Sequence, residues 1–275
     1  MLVTASADST VKVWDTYSKN TPCMMKFQHL QGHHPHCVIF SPDEEILCST
    51  DHYLNLWNMN TGQLFKKIHV GEQINSCCFV DDGAVIVSAA YTRGLGLWSV
   101  QAGKRLCALH DPSQSITSHG ADWCTESPLG GVIASTHNNM TVHTVRLWDM
   151  NTQKSLRRLG HGESKYCCFA PDGNLIASTF SNGEVRLWDM RTQKKLSTLH
   201  TPNALGKSSF SYHGSLFAAS CAYGHKTFIW DLRRMQQCGE LNRGNSKFTY
   251  QVCSFSPHGF LATSDEGQIN IYIHS

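Results

Sequence analysis

The 275-residue sequence contains no run of 18 apolar residues, so no stretch is expected to form a membrane-spanning helix. It opens MLVTASADST, with neither the basic n-region nor the apolar h-region of a secretory signal. Neither charge sign dominates: 23 Lys and Arg against 21 Asp and Glu leave +2. That balance gives no bulk electrostatic reason to expect nucleic acid or an anionic membrane as partner. No Cys-x-x-Cys occurs among the 12 cysteines. With no secretion signal, reduced and buried thiols are expected, in a cytoplasmic or nuclear protein, and the sequon Asn139-Met140-Thr141 is silent. No segment sustains a 3.6-residue hydrophobic period, which excludes a helical protein. Gly-x-Ser-x-Gly, a Walker loop, His-Glu-x-x-His and the sialidase Asp-box are all absent. No catalytic residue, metal or cofactor is therefore expected, and an enzyme with a novel site is the remote alternative.

What is present is repetition. Residues 183–196 read GEVRLWDMRTQKKL, and 143–156 read HTVRLWDMNTQKSL. An aromatic residue ends each such run: Trp14, Trp57, Trp98, Trp148, Trp188, Trp230 and Tyr272, at gaps of 43, 41, 50, 40, 42 and 42. A second series lies out of phase, from CVIFSPDEEI (37–46) through YCCFAPDGNL (166–175) to VCSFSPHGFL (252–261). Short runs rich in Val, Ile, Phe, Thr and Ser alternate with Asp-Gly, Pro-Asp, His-Gly and Asn-Gly punctuation, the texture of strands and tight turns. The fifth unit predicts strands at 165–169, 174–179, 184–188 and 194–199. Four antiparallel strands make one propeller blade, and one blade cannot bury its faces alone. With 41% apolar residues, the chain can build a sizeable core.

These strings resemble the WD repeats of the WD40 β-propeller family. Trp-Asp stands at 14–15, 148–149, 188–189 and 230–231, degrading to Trp57-Asn58, Trp98-Ser99 and Tyr272-Ile273, and Gly-His stands at 32–33 and 160–161. The resemblance covers the whole chain and implies an all-β, seven-bladed propeller in one domain, with units at 1–30, 31–70, 71–110, 111–160, 161–200, 201–243 and 244–275. About 26 of 28 strands are counted, the first unit starting in strand b and the last stopping after strand c. This implies an N-terminally truncated propeller; a six-bladed ring with odd ends is the alternative. Val and Leu of Val-x-Leu-Trp are expected to face a neighbouring blade, with the Trp wedged between blades. The family ties an Asp in the b–c turn to the Gly-His histidine, to a Ser or Thr eight before the Trp, and to the indole N–H. Only His33, Ser49, Asp51 and Trp57 match all four. The first unit supplies Ser6, Asp8 and Trp14; the fifth has His161 and Trp188, but Phe180 and Asn182 at the other places.

The family role implied is a non-catalytic scaffold whose partners are other proteins or peptides. The cysteines Cys37, Cys77, Cys78, Cys124, Cys167, Cys168 and Cys253 recur on strand a, as packing predicts, and His33-His34-Pro35-His36 is read as structural. Lys and Arg gather on the outer strands, where they block edge pairing. LRRL (156–159) and LRRM (232–235) only approach the Phe-Arg-Arg-Gly of phosphoinositide-binding propellers, so no membrane partner is expected. Trp-Asp-x-Arg occurs at 188–191 and 230–233, and the resemblance makes Arg191 and Arg233 candidates for contact with a ubiquitin-ligase adaptor, the alternative function. The 50-residue gap before Trp148 places seven extra residues in the d–a loop and three in the b–c loop of blade four. Trp123, His137, Asn138, Asn139 and Met140 on those loops, with Tyr91 and Arg93 on the blade-three b–c turn, are the expected partner-binding surface.

Overall fold

The computed structural model describes residues 1–275 except 17, 19–21, 31–33, 110–119, 139–142, 204, 222–225, 243–251, 256–259, 266–267 and 274–275. Among the described residues, 26 strands form seven antiparallel sheets in chain order. Sheet one holds Leu2–Ala5, Thr10–Trp14 and Cys23–Gln28. Sheet two holds Cys37–Phe40, Ile46–Thr50, Tyr53–Asn58 and Leu64–His69, and sheet three Ile74–Val80, Val85–Ala90, Gly94–Ser99 and Arg105–Leu109. Sheet four holds Trp123–Glu126, Val132–Asn138, His143–Asp149 and Lys154–Leu159. Sheet five is Ser164–Phe169, Leu175–Phe180, Glu184–Asp189 and Lys194–His200, each strand within a residue of its expected place. Sheet six is Leu205–Phe210, Leu216–Cys221, Lys226–Asp231 and Gln236–Asn242, and sheet seven Val252–Phe255, Phe260–Asp265 and Gln268–Ile273. Successive strands pair in every sheet, so the chain is a series of meanders. This is the fold of a seven-bladed β-propeller. The strands are called a to d below, with sheet one supplying b to d and sheet seven a to c.

The chain divides into two compact units, Met1–Cys124 with Thr152–Ser155, and Thr125–Asn151 with Leu156–Ser275. In the first, Val11, Val13 and Phe27 of sheet one pack on Leu47 and Trp57 of sheet two. Leu54, Leu56 and Ile68 of sheet two then pack on Phe79, Ile86 and Trp98 of sheet three. In the second, Val185, Leu187 and Leu199 pack on Phe217 and Trp230. Thus the Val-x-Leu pair of one sheet meets the Trp of the next. A strand sends alternate residues to opposite faces, which is what lets one short string serve two interfaces.

In sheets two to six the residue after the Trp closes the c–d turn. Asn58 Oδ1 accepts the N–H groups of Asn60 and Thr61 at 2.9 and 2.8 Å, and Asp149 Oδ1 that of Asn151 at 2.8 Å. Asp189 Oδ1 accepts from Thr192 N at 2.6 Å, Asp231 Oδ1 from Arg233 N at 2.8 Å, and Ser99 Oγ from Ala102 N at 3.1 Å. Any short acceptor does this work, so Asn58 and Ser99 replace Asp without altering the turn. Five residues past the Trp the backbone is left-handed each time: Gly62 (φ 70°), Gly103 (65°), Gln153 (56°), Gln193 (55°) and Met235 (51°). Three of these are not glycine, a conformation that costs an L-residue about 1–2 kcal/mol.

Candidate functional site

Sheets one to six each carry a tryptophan anchor, and its geometry is set by strand register. Trp14, Trp57, Trp98, Trp148 and Trp188 pair across the b–c ladder with Leu2, Leu47, Ile86, Ile133 and Ile176. Two residues further along strand b stands a hydroxyl: Thr4, Ser49, Ser88, Ser135 and Ser178. Each accepts the indole N–H, at 2.9, 2.8, 2.9, 2.8 and 3.1 Å. The sequence separations are 10, 8, 10, 13 and 10. A fixed eight-residue count therefore finds only Ser49. In sheet one it points to Ser6, whereas Thr4 makes the bond. Sheet six has Ala219 at this place; there Phe217 and Phe228 flank Trp230 at ring-centroid distances of 5.8 and 6.0 Å. Sheet seven has a tyrosine, Tyr272, opposite Leu261, and Thr263, two residues past Leu261, has a buried Oγ1 with no hydrogen-bond partner.

The space beyond this hydroxyl is filled differently in each sheet. In sheet two the filler is His29, not the expected His33, which lies outside the described residues. His29 directly follows strand Cys23–Gln28 and is 5% exposed. Its Nδ1 lies 3.1 Å from Asp51 Oδ2, and its Nε2 lies 2.7 Å from Ser49 Oγ. Asp51 can only accept, so the Nδ1 that faces it carries a proton. Burial pushes the Asp51 carboxyl upward, but hydrogen bonds from His29, Tyr53 N and Asn55 outweigh it and hold it below the usual carboxylate value. The Gly-His dipeptide is thus a false guide here; the imidazole comes from a Gln-His four residues earlier.

His137 corrects the expected partner surface in the same way. It is 3% exposed, its Nε2 lies 2.7 Å from Ser135 Oγ, and its ring centroid is 6.0 Å from that of Trp148. His29 and Trp57 are 6.1 Å apart. His137 is thus a core residue of blade four, placed by a strand that runs on to Asn138. Asn139 and Met140 lie outside the described residues, and of Asn138 only the backbone is described. In sheet five His161 is exposed, and the guanidinium of Arg186 takes the space over Phe180, 4.0 Å from its ring. Arg186 also donates to Glu184 Oε2 at 2.8 and 2.6 Å and to the His161 carbonyl at 2.5 Å.

The other expected residues sit at the surface. Tyr91 is 63% exposed, at the tip of the b–c turn of sheet three. The incoming d–a segment is clamped beneath it: Ala121 N donates to Ala90 O at 2.9 Å, and a Cβ on Gly120 would stand 2.0 Å from the Tyr91 carbonyl oxygen. Trp123 is half-buried. Arg93 is exposed, its Nε 3.8 Å from Glu72 Oε1, while Glu72 Oε2 accepts the Thr92 N–H at 2.9 Å and the Thr92 hydroxyl. Arg191 and Arg233 are exposed on c–d turns whose preceding Asp is engaged by turn N–H groups. All 12 cysteines are free, and Cys23 and Cys238 are the exposed pair among them. Cys77 Sγ lies 3.9 Å from Cys37 and 4.0 Å from Cys48; contact with these two thiols, with burial, pushes its ionisation up. Burial pushes Cys168 up to about 12. Such thiols are packing groups rather than nucleophiles. Among the described residues no group of three or more His, Cys, Asp or Glu could hold a metal ion, and no helix is long and apolar enough to cross a membrane.

The WD domain, G-beta repeat family matches at residues 1–15, 24–58 and 153–189. The chain is 26% identical over 196 residues to pre-mRNA-processing factor 17 of Homo sapiens, covering 66% of this chain and 32% of that protein. It is 24% identical over 190 residues to autophagy-related protein 16 of Arabidopsis thaliana, covering 67% and 36%. It is 25% identical over 294 aligned positions to protein tipD of Dictyostelium discoideum, covering 98% and 44%. The chain therefore spans between about a third and 44% of the length of these curated relatives. Seven meander sheets, an indole-to-hydroxyl anchor at fixed register in five of them, and the matched repeats lead to one conclusion: this is a seven-bladed β-propeller that carries WD repeats.

Proposed function

We propose that this protein is a non-catalytic scaffold, and that the surface around Tyr91, Arg93 and Trp123 receives a protein or peptide partner. The observation that carries the reading is Tyr91: a large aromatic side chain, 63% exposed, on a turn whose neighbouring segment is clamped by the Ala121–Ala90 bond. An aromatic residue and an arginine on rigid backbone are the chemistry of interface hot spots, and order before binding spares entropy on association. Relatives named for pre-mRNA processing and for autophagy share the repeat but no common chemistry in their names, which supports interaction rather than turnover. A cytoplasmic or nuclear setting goes with this reading. The test is affinity capture with Tyr91→Ala combined with Arg93→Ala. Loss of partners from a variant that melts like the starting protein is expected; an unchanged set of partners would overturn the surface. Docking of a ubiquitin-ligase adaptor on Arg191 and Arg233 is the second reading, supported by their exposure. Arg191→Ala with Arg233→Ala should then release the adaptor, and adaptor retention would sink it.

A further inference from the structure

Blade three lacks the filler that blades two and four possess. Ser88 and Trp98 form the same anchor as Ser49 and Trp57, at 2.9 Å. The surrounding places are all cut back. Val70 follows the d strand of sheet two as His29 follows that of sheet one, Ala90 occupies the register of Asp51 and His137, and Gly96 that of Asn55 and Arg146. Nothing larger fits at Gly96 as it stands, since a Cβ there would lie 2.9 Å from Trp98 Nε1. The three truncations leave a cavity of about 10 Å³ in one compact unit, bounded by Val70, Ser88, Ala90, Trp98 and Glu72 and roofed by Arg93 and Arg105. Its two arginine walls are exposed side chains and Glu72 is partly buried, whereas Val70, Ser88, Ala90 and Trp98 are buried. As it stands the space suits one water, and a larger ring requires the exposed arginine side chains to move outward.

The polar groups facing this space match those that His29 meets in blade two. There the imidazole bridges a serine hydroxyl and a carboxylate beside an indole. Here the hydroxyl is Ser88, the indole is Trp98, and the carboxylate is Glu72, brought in from the d–a segment and held by Thr92. Glu72 Oε1 is buried without a hydrogen bond, its nearest cation being Arg93 Nε at 3.8 Å. A buried carboxylate oxygen wants a donor, and two arginines at the mouth disfavour a lysine or arginine as the source. A histidine N–H is the small donor whose ring also fits against an indole.

We propose that this cavity is a receptor for an imidazole ring supplied from outside, the side chain of a histidine in a partner segment that completes blade three as His29 completes blade two. The proposal rests on the interaction surface above, because Arg93 belongs to that surface and lines the cavity, but its test needs no partner. The probe is 4-methylimidazole at pH 7.5, followed by the shift of the Trp98 indole proton in NMR. A saturable shift is expected, with half-saturation in the low-millimolar range that a six-atom ligand reaches. Glu72→Ala should weaken it at least fivefold. Val70→His, which supplies the imidazole from within, should abolish it and raise the melting temperature; should that variant not fold, Val70→Leu fills the same space and should also abolish binding. Absence of a saturable shift, or a shift unchanged by filling position 70, overturns the proposal. If the probe binds while capture of partners ignores Tyr91→Ala with Arg93→Ala, the cavity stands and the wider surface falls.

Discussion

The two copies of Val-Arg-Leu-Trp-Asp-Met, at 145–150 and 185–190, share six letters and little in how their arginine is housed. Arg146 is 1% exposed, with His137, Ser135 and Thr144 buried in the same hairpin. Arg186 keeps 17% of its side chain exposed, pairs with Glu184 and lies over Phe180. Their c strands are nearly identical; the hairpin partners differ. Four residues past the Trp's cross-strand partner stands His137 in blade four and Phe180 in blade five, and one residue before the repeated string stand Thr144 and Glu184. A strand motif thus fixes which residues face which sheet, while the residues opposite it decide whether a charge is enclosed or paired at the edge.

The same substitution at both arginines is the sharpest test. Arg146→Ala should cost about 2–4 kcal/mol, because it empties enclosed space. Arg186→Ala should cost about 1 kcal/mol or less, since its ion pair is partly solvated. Only the second cost should fade in high salt; equal costs in urea unfolding would erase the contrast. Acid should separate the blades as well. The hydrogen bond from Arg186 holds the Glu184 carboxyl below its ordinary value. A carboxyl depressed in the folded state stabilises above its unfolded value, near 4.3, and that contribution is lost as pH falls through the lower folded value. Glu184→Gln should therefore shrink the stability lost between about pH 5 and pH 3. Thr144 has no proton to exchange there, so Thr144→Val should leave that loss as it is. The smallest effect lies where the copies agree. Gln153→Gly and Gln193→Gly each remove left-handed strain at some cost in chain entropy, and should stabilise by about 0.5–1 kcal/mol in thermal melts. A loss at either site would mean that the glutamine side chain does more than close the turn.

Much of the fold was legible because it is written in periods. Seven aromatic anchors, strand-length runs and turn dipeptides place the four strands of sheet five to within a residue. The three-residue excess in the blade-four hairpin reappears as the 13-residue separation of Ser135 and Trp148, against 10 for Ser178 and Trp188. The anchors were less legible, because they obey cross-strand register and not one sequence distance: Thr4, Ser88, Ser135 and Ser178 are invisible to a count of eight. His137 reads as loop by its neighbours Asn138 and Asn139, yet the strand continues through it and turns its ring inward. His29 carries no local mark. Its role follows only from which residues sheet two brings opposite it.

Register anchoring has a further consequence, for what the hairpins could carry. Separations of 8, 10 and 13 residues between hydroxyl and indole coexist in one chain, with bond lengths of 2.8, 2.9 and 2.8 Å. Loop length beyond the anchor is therefore decoupled from the anchor itself, and each doubling of a flexible loop adds only about 0.6 kcal/mol of closure entropy. Each of these five b–c hairpins behaves as a socketed cassette: its stem is clamped by an indole, and its loop length is free to vary. Such a scaffold can acquire new recognition sequences one blade at a time, or have them spliced in by hand between 138 and 143, without renegotiating the core that holds them.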